Sequence, residues 1–395
     1  MNPACEKSAQ ASRAPGRSSA DVGMDAARLK KQCSSGRAER RAEQKEKSEN
    51  MIPYDDSGFT DAIDTTLKPW LEKHVSGGQF ESFDKTKIQY YQAVRPDAKA
   101  VIVMLHGFTE FFGKYHETAY DFWENGYTVY FIELRGHGGS GRSVEDPDVV
   151  DVEDFSEYVE DVKCLLDKVV LPGTPGLRLR SDIGRKRPAR REEDNSVNLL
   201  LYAHSMGGCV GSLFLERYPE YFCAAVLSSP MLRMAFGDLP AWQVKLLVLA
   251  SKVRGWKEEL MPGMNHFDPD APDFDGSGTL SQARFDYQFN IRKDPANGGI
   301  YTMSAATWNW GRAAMKATQD FAQDMEQIRV PVLVCQSGRD AFVDNEGQNE
   351  FAAAAKHVKL VRFPEAKHEI YASDPESMKQ YYRELFRFFR RAQEL

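Results

Sequence analysis

The hydrophobic pattern of residues 87–395 alternates short apolar runs with segments of helical period. Runs of strand length, most of them continuously apolar, occur at 87–93, 100–105, 127–134, 197–203, 222–229, 330–336 and 358–363. Uninterrupted apolar runs are typical of strands that are buried on both faces of a parallel sheet. Between two of these runs, apolar residues recur at helical spacing, at Phe155, Val159, Val162, Leu166 and Val169. The pattern therefore predicts an α/β fold, with a mostly parallel central sheet flanked by helices.

Three segments depart from this alternation. Residues 1–50 carry almost no large apolar side chains, which predicts a disordered N-terminal extension. Residues 172–196 are rich in Pro, Gly and Arg and predict a disordered basic insertion on the surface. Residues 230–328 hold amphipathic segments rich in Trp, Met and Phe between two strands, which predicts a helical cap over the carboxyl ends of the sheet. The core then comprises residues 51–229 and 329–395.

Composition narrows the function classes. A formal net charge of -7 disfavours nucleic-acid binding. The six cysteines are scattered without metal-binding or paired spacing, which indicates buried thiols in a reducing compartment and predicts a cytoplasmic protein. We expect neither a membrane-spanning helix nor a secretory signal, because the chain has no apolar window of about 18 residues and no apolar core near its start.

One serine lies at a sharp junction between a predicted strand and a predicted helix. The segment Ala203-His204-Ser205-Met206-Gly207 ends an apolar run and opens a stretch rich in small residues. A serine hydroxyl becomes a useful nucleophile when a constrained turn exposes it to a base, and the helix start adds backbone N–H groups beside it. Small residues two before and two after the serine allow the strand and helix to pass closely. Ser205 is therefore the candidate nucleophile.

Its chemical partners follow later strands. Serine hydrolysis needs a histidine base and a carboxylate that orients it, and in the α/β-hydrolase chain order the acid precedes the histidine. Asp340 follows the run at 330–336 and His368 follows the run at 358–363. Asp344 is the rival acid, with a helix cap as its alternative role. We expect the backbone N–H groups of Phe108 and Met206 to form the oxyanion hole, and His106 to hold the Phe108 turn by hydrogen bonds.

The segment Asp273-Phe274-Asp275-Gly276-Ser277-Gly278 imitates the start of a calcium-binding EF-hand loop. Arg284 stands where the loop needs a bidentate glutamate. Three prolines also precede the loop, where an EF-hand has its first helix. The sequence therefore disfavours an ion there. No metal or organic cofactor is required by the predicted chemistry.

Four motifs together resemble the monoacylglycerol lipase and lysophospholipase L2 family of serine hydrolases. They are His106-Gly107-Phe108-Thr109-Glu110, Arg135-Gly136-His137-Gly138-Gly139-Ser140, Ala203-His204-Ser205-Met206-Gly207-Gly208 and His368-Glu369-Ile370. The resemblance implies an α/β-hydrolase fold with a cap, a carboxylic ester hydrolase, and a single acyl ester of a glycerol-based lipid as substrate. It also implies Ser205, Asp340 and His368 as the triad, Phe108 and Met206 as oxyanion donors, and Trp308 as a substrate-binding residue.

Some alternatives stay open at this stage. The same fold hosts general carboxylesterases, aminopeptidases and catalytically silent scaffolds, so the substrate rests on analogy alone. Because the implied substrate is a lipid, peripheral contact of the cap with a membrane is a further hypothesis. The sequence does not determine the oligomeric state, and Glu133 stands where many members of the resembled family carry aspartate.

Overall fold

The computed structural model describes residues 53–182, 197–235, 237 and 240–393. All of them belong to one unit, residues 49–395. The predicted N-terminal extension, residues 1–50, lies outside the described residues, as does the segment 183–196 of the predicted insertion. No helix in the described ranges is both long enough and apolar enough to cross a membrane.

The strands follow the predicted order along the chain, with additions at the start and in the insertions. Their bounds are β1 Ser76–Glu81, β2 Lys87–Ala93, β3 Ala100–Leu105, β4 Thr128–Ile132, β5 Val149–Val150, β6 Leu177–Arg178, β7 Val197–His204, β8 Ala224–Ser228, β9 Ala305–Ala306, β10 Val332–Ser337 and β11 Val358–Phe363. The helices are α1 Asp56–Ala62, α2 Lys68–His74, α3 His116–Glu124, α4 Ser156–Leu165, α5 Met206–Arg217, α6 Ala241–Val253, α7 Gln282–Lys293, α8 Trp308–Asp324, α9 Asn345–Ala354 and α10 Pro375–Ala392.

The main sheet has the order β1-β2-β4-β3-β7-β8-β10-β11, with β6 paired to the start of β7. β1 pairs with β2, and β2 with β4, in antiparallel fashion. The neighbouring strands of the series β4-β3-β7-β8-β10-β11 all pair in parallel. The predicted α/β-hydrolase fold, with a mostly parallel sheet flanked by helices, is confirmed. The carboxyl ends of β3, β7, β8, β10 and β11 therefore meet at one edge, because parallel strands end on the same side of a sheet.

Both faces of the sheet are covered, as the uninterrupted apolar runs predict. Along β3, Val101, Val103 and Leu105 pack on one face with α4, α5 and α8, while Ile102 and Met104 pack on the other with α3 and α10. The alternation follows from the period of two in a strand. Side chains satisfy free backbone donors at the start of α4, since Glu157 accepts from the Asp154 N–H at 3.2 Å and Asp154 accepts from the Ser156 N–H at 2.8 Å.

Two predicted boundaries differ from the structure. Residues 172–182, which the sequence assigns to the disordered insertion, include the strand β6 and are structured because the chain pairs with β7 before it leaves the described range. The helix α8, which the sequence assigns to the cap of residues 230–328, packs with α5 in the core through Ala314 and Phe321. Its amphipathic pattern therefore reflects a core face, and α6 and α7 are the helices that precede it in the excursion.

The helices and the first strand at the start of the described region were not predicted. α1 and α2 are joined by a π-helical turn, Ile63–Leu67, and Trp70 of α2 packs with the face of the sheet that α10 covers. The antiparallel edge strand β1 also lacked a sequence signal, because Ser76, Gly77 and Gly78 open it with no apolar side chain.

Candidate active site

Ser205 occupies a strained turn between β7 and α5. Its backbone has φ 52° and ψ −118°, a conformation that non-glycine residues seldom adopt. Backbone hydrogen bonds hold it on both sides, since the Ser205 N–H donates to Ser228 O at 3.0 Å, and Ser205 O accepts from the N–H groups of Gly208 and Met231, each at 2.9 Å. The strand-to-helix elbow that the sequence predicts is therefore present, and Ser205 lies at the carboxyl edge of the sheet.

Glycine is required two residues after Ser205. A Cβ atom on Gly207 would lie 2.5 Å from His106 O and 2.7 Å from Leu105 O, which are backbone atoms of β3 and its turn. Backbone atoms cannot move aside as a side chain can, so the first turn of α5 approaches β3 this closely only because residue 207 has no side chain.

His368 and Asp340 are in direct contact. His368 Nδ1 lies 2.7 Å from Asp340 Oδ2, and the other carboxylate oxygen accepts from the Phe342 N–H at 2.9 Å and the Val343 N–H at 3.1 Å. Burial opposes the charge of Asp340, but the hydrogen bond and the charge of His368 outweigh it and hold the pKa of Asp340 below its usual value. Asp344 instead accepts from the Glu346 N–H at 2.9 Å and caps α9.

The serine and the histidine lie at the same edge without a hydrogen bond between them in the described part of the chain. The end of β8 holds both residues in place. The Ser205 N–H donates to Ser228 O, and the hydroxyl of the next residue, Ser229, donates to His368 O at 2.7 Å. The His204 ring, next to Ser205 in the chain, is 4.8 Å from the His368 ring. In enzymes without bound substrate, the hydrogen bond between a catalytic serine and its histidine is often long, and it shortens when substrate binds.

The turn that carries Phe108 is held by its histidine, as predicted. His106 Nδ1 lies 2.7 Å from Gly107 O, and the Leu134 N–H donates to His106 Nε2 at 2.9 Å. Burial lowers the pKa of His106 to about 4, so the ring is neutral, with its proton on Nδ1. Among the described residues, the N–H groups of Phe108 and Met206 have no protein acceptor, which leaves both donors available beside Ser205.

Trp308, which the resemblance implies as a substrate-binding residue, lies at the start of α8. Its ring packs against Trp256, with the centroids 6.0 Å apart. Trp310, two residues further along α8, packs on Phe108 with the ring centroids 4.4 Å apart, and the half-exposed ring of Phe342 lies 5.1 Å from the His368 ring. Phe342 and Trp310 are thus the aromatic side chains that flank the candidate site, and sequence reasoning did not single them out.

The EF-hand-like loop serves as a joint between the cap and the core. Arg284, at the position of the missing ligand, forms a bidentate ion pair with Glu117 of α3 at 2.7 Å. Within the described residues, one group of side chains has metal-ligating atoms within 4.8 Å of one another, namely Asp146, Asp148 and His266, and it contains no residue of the candidate site.

Sequence reasoning also missed a buried carboxylate network beneath the Phe108 turn. Glu110 Oε2 accepts from the Gly107 N–H at 2.5 Å, and Lys114 Nζ lies 2.7 Å from both Glu110 and Glu369. Glu110 and Glu369 both lie in the motifs that carry the family resemblance, but the sequence analysis gave them no role. Their position in those motifs was the one signal that could have pointed to them.

Glu133, which follows β4, holds two turns together. Its carboxyl oxygens accept from the Phe112 N–H at 3.2 Å and the Gly139 N–H at 2.7 Å. A Cβ atom on Gly138 would lie 2.1 Å from Glu133 Oε2, so glycine is needed there. Burial raises the pKa of Glu133 to about 7, although the two N–H groups stabilise the charged form.

The fold and this arrangement define an α/β-hydrolase with a serine at the elbow between strand and helix. A sequence profile of the family described as "Serine aminopeptidase, S33" matches residues 96–180 and 185–376. The match covers more than half of the chain, so the chain belongs to this family.

The similar proteins are lipid hydrolases by name. Lysophospholipase L2 of Escherichia coli strain K12 is 26% identical over 285 residues, which cover 69% of this chain and 73% of the relative. Monoacylglycerol lipase of Mycolicibacterium smegmatis is 28% identical over 284 residues, which cover 71% and 84%. These matches confirm the predicted family and the predicted enzyme class, a carboxylic ester hydrolase.

A solved structure shares the fold. The soluble variant of monoglyceride lipase from Saccharomyces cerevisiae, in complex with a substrate analog, superposes with a TM-score of 0.58 at 14% identity and covers 80% of this chain and 94% of its own. At that identity the similarity concerns the fold alone.

We expect Gly207→Ala to lower kcat/KM for ester hydrolysis by about a hundredfold, because the added methyl group must push α5 away from β3 and displace Ser205. Gly211→Ala is the matched control in the same helix, since its Cβ would meet the flexible Leu201 side chain at 3.0 Å. Steady-state kinetics on a soluble ester should show the control within a few-fold of wild type. Equal activity of both variants would contradict the close-approach argument.

The free energy of unfolding should fall as pH rises, because Glu133 loses its proton. Its pKa is about 7 in the fold against a usual value of 4.5, so the folded state holds the proton more tightly. The stability that this proton contributes is complete below about pH 4.5 and is lost as pH rises through 7, by about 3 kcal/mol at most. Urea unfolding of both proteins between pH 5 and 8 should show wild type losing stability relative to Glu133→Gln as pH rises. Parallel curves would exclude the raised pKa.

Proposed function

We propose that the protein is a serine hydrolase that cleaves a single acyl ester of a glycerol-based lipid, a lysophospholipid or a monoacylglycerol, through an acyl-enzyme on Ser205. The observation that carries the proposal is the 2.7 Å contact of His368 Nδ1 with Asp340 at the edge where Ser205 lies. This contact leaves the other ring nitrogen, Nε2, to act as the base toward the serine hydroxyl.

The proposed reaction has two halves. His368 takes the proton of Ser205 as the serine oxygen attacks the ester carbonyl, and the oxyanion accepts from the free N–H groups of Phe108 and Met206. His368 then returns the proton to the leaving alcohol, and the ester bond to the glycerol moiety breaks. In the second half the same histidine deprotonates a water molecule, whose oxygen attacks the acyl carbonyl. The bond to the Ser205 oxygen then breaks as His368 returns the proton to that oxygen, and the fatty acid is released.

The substrate class rests on the relatives and on the apolar side chains around the site. Both named relatives act on lipids by name, and the half-exposed ring of Phe342 supplies aromatic surface beside His368. An aminopeptidase or a general carboxylesterase is the second candidate, favoured by the description of the matching family.

Ser205→Ala should abolish labelling by a fluorophosphonate probe and reduce ester hydrolysis by about a million-fold, because the nucleophile is lost. Asp340→Asn should label slowly, because the amide does not fix the ring tautomer, whereas Asp344→Asn should label like wild type. A panel of long-chain monoacylglycerol, lysophospholipid, short nitrophenyl ester and aminoacyl amide should show the highest kcat/KM for one of the two lipids. Absent labelling of wild type, or preference for the amide, would overturn the proposal.

We also propose that α6 contacts the surface of an anionic phospholipid bilayer. Trp242, Leu246, Leu249 and Val253 share one helix face and are 61%, 55%, 57% and 79% exposed. The helix Ala241–Val253 has two lysines and no acidic residue, which suits anionic lipid. A lipid substrate would be drawn from that surface.

Replacing Leu246 and Leu249 together by glutamate should weaken sedimentation with vesicles that contain phosphatidylglycerol by at least about tenfold, since two apolar side chains are withdrawn and two negative charges added. Val94→Glu, at an exposed apolar position outside the cap, is the control and should bind as wild type does. Hydrolysis of a soluble ester should stay unchanged in both. Equal vesicle binding by all three proteins would remove the membrane contact from the proposal.

A further inference from the structure

A buried ammonium group joins the two loops on either side of Ser205. Lys114 Nζ lies 2.7 Å from Glu110 Oε1 and 2.7 Å from Glu369 Oε1. The three side chains are only 13%, 5% and 7% exposed. Glu110 belongs to the turn after β3 that carries Phe108, and Glu369 directly follows His368. One cation therefore connects the proposed oxyanion turn to the histidine loop.

The Glu110 end of this bridge controls the oxyanion turn. Glu110 Oε2 accepts from the Gly107 N–H at 2.5 Å and from the Tyr115 hydroxyl, and the Tyr371 hydroxyl donates to Oε1 at 3.3 Å. Gly107 immediately precedes Phe108, so a displacement of the Glu110 carboxylate moves the peptide next to the oxyanion donor. Oxyanion donors act only when they are aimed in advance at the developing charge.

The Glu369 end is fixed by the cap. The Glu369 N–H donates to Gly278 O at 2.8 Å, and Lys367 Nζ donates to Asp275 O at 2.9 Å. Gly278 and Asp275 belong to the EF-hand-like loop, whose glycines thus have a role without any ion. A Cβ atom on Gly278 would lie 2.7 Å from Glu369 Oε1, so this position must be glycine for the carboxylate to reach Lys114.

Lys114 and Glu110 are both held in their ionised forms. Burial opposes the charge of Lys114, but the two carboxylates outweigh it and raise its pKa. Burial likewise opposes the charge of Glu110, and Lys114 outweighs it, which places the pKa of Glu110 well below its usual range. Without the ammonium group, two buried carboxylates would face each other with no cation between them, and the loops would separate or take up a proton.

We infer that Lys114 is a positioning residue for the hydrolysis, which sets the distance between the oxyanion donors and His368 by bridging Glu110 to Glu369. The inference rests on the proposed function of Ser205, Phe108 and His368. Lys114 contacts no reacting atom in that scheme. Its loss should act on the chemical step, with little effect on the binding of substrate.

The test compares Lys114→Met, Lys114→Arg and Arg95→Met with the full-length wild type. Arg95 is a half-buried cation that precedes β3, whereas the Phe108 turn follows the other end of that strand. It pairs with Asp97 at 3.0 Å and donates to Trp123 O at 3.0 Å, and it serves as the matched control. Lys114→Met should lower kcat on a soluble ester by about a hundredfold with KM changed by less than about threefold. Lys114→Arg should have a kcat at least about tenfold higher than that of Lys114→Met, because arginine can bridge two carboxylates. Arg95→Met should keep kcat within about twofold.

Gly278→Ala provides a second variant in case Lys114→Met does not fold. It keeps every charge and displaces the Glu369 carboxylate alone, so it should also lower kcat with little change in KM, while thermal unfolding reports that the protein is folded. A folded Lys114→Met, or a folded Gly278→Ala, with wild-type kcat would overturn the inference, as would failure of Lys114→Arg to recover activity. Fluorophosphonate labelling separates the two proposals, because an unlabelled wild type contradicts the function of Ser205 and a wild-type labelling rate in Lys114→Met contradicts the bridge.

Discussion

The close approach of α5 to β3 is the constraint on which the candidate site depends. The backbone of the first turn of α5 lies against Leu105 O and His106 O, where no side chain can fit. This contact forces Ser205 into its positive-φ turn and leaves the N–H of Met206 free at the start of the helix. The strain is tolerated because the strands on both sides of β7 are fully buried and cannot yield.

Around that turn, hydrogen bonds between buried polar groups fix the positions of the loops. Asp340 orients the His368 ring, His106 fixes the carbonyl of Gly107, and Glu110 holds the N–H of the same residue from the opposite direction. Nearly all of these groups are buried, and a buried polar group is costly unless it is paired. The loops at the sheet edge therefore have few alternative arrangements, which is the preorganisation that ester hydrolysis requires.

The excursion between β8 and β10 divides into parts with different physical roles. α8 packs into the core, the loop near Gly278 holds the residue after His368, and α6 presents apolar side chains outward. Sequence composition treats these parts as one cap, because amphipathic helices look alike whether their apolar face meets a sheet, a neighbouring loop or a lipid surface.

The sequence by itself determined the sheet and the elbow, and it predicted the candidate serine, acid and histidine, because strand period, small-residue spacing and chain order are local or one-dimensional signals. It also assigned His106 to the turn correctly. Only the tertiary structure decided that Trp310 and not Trp308 meets Phe108, that Arg284 pairs with Glu117, and that Lys114 joins Glu110 to Glu369. These contacts join residues of separate elements, most of them more than a hundred positions apart, and no periodicity or motif encodes which distant side chains a fold brings together.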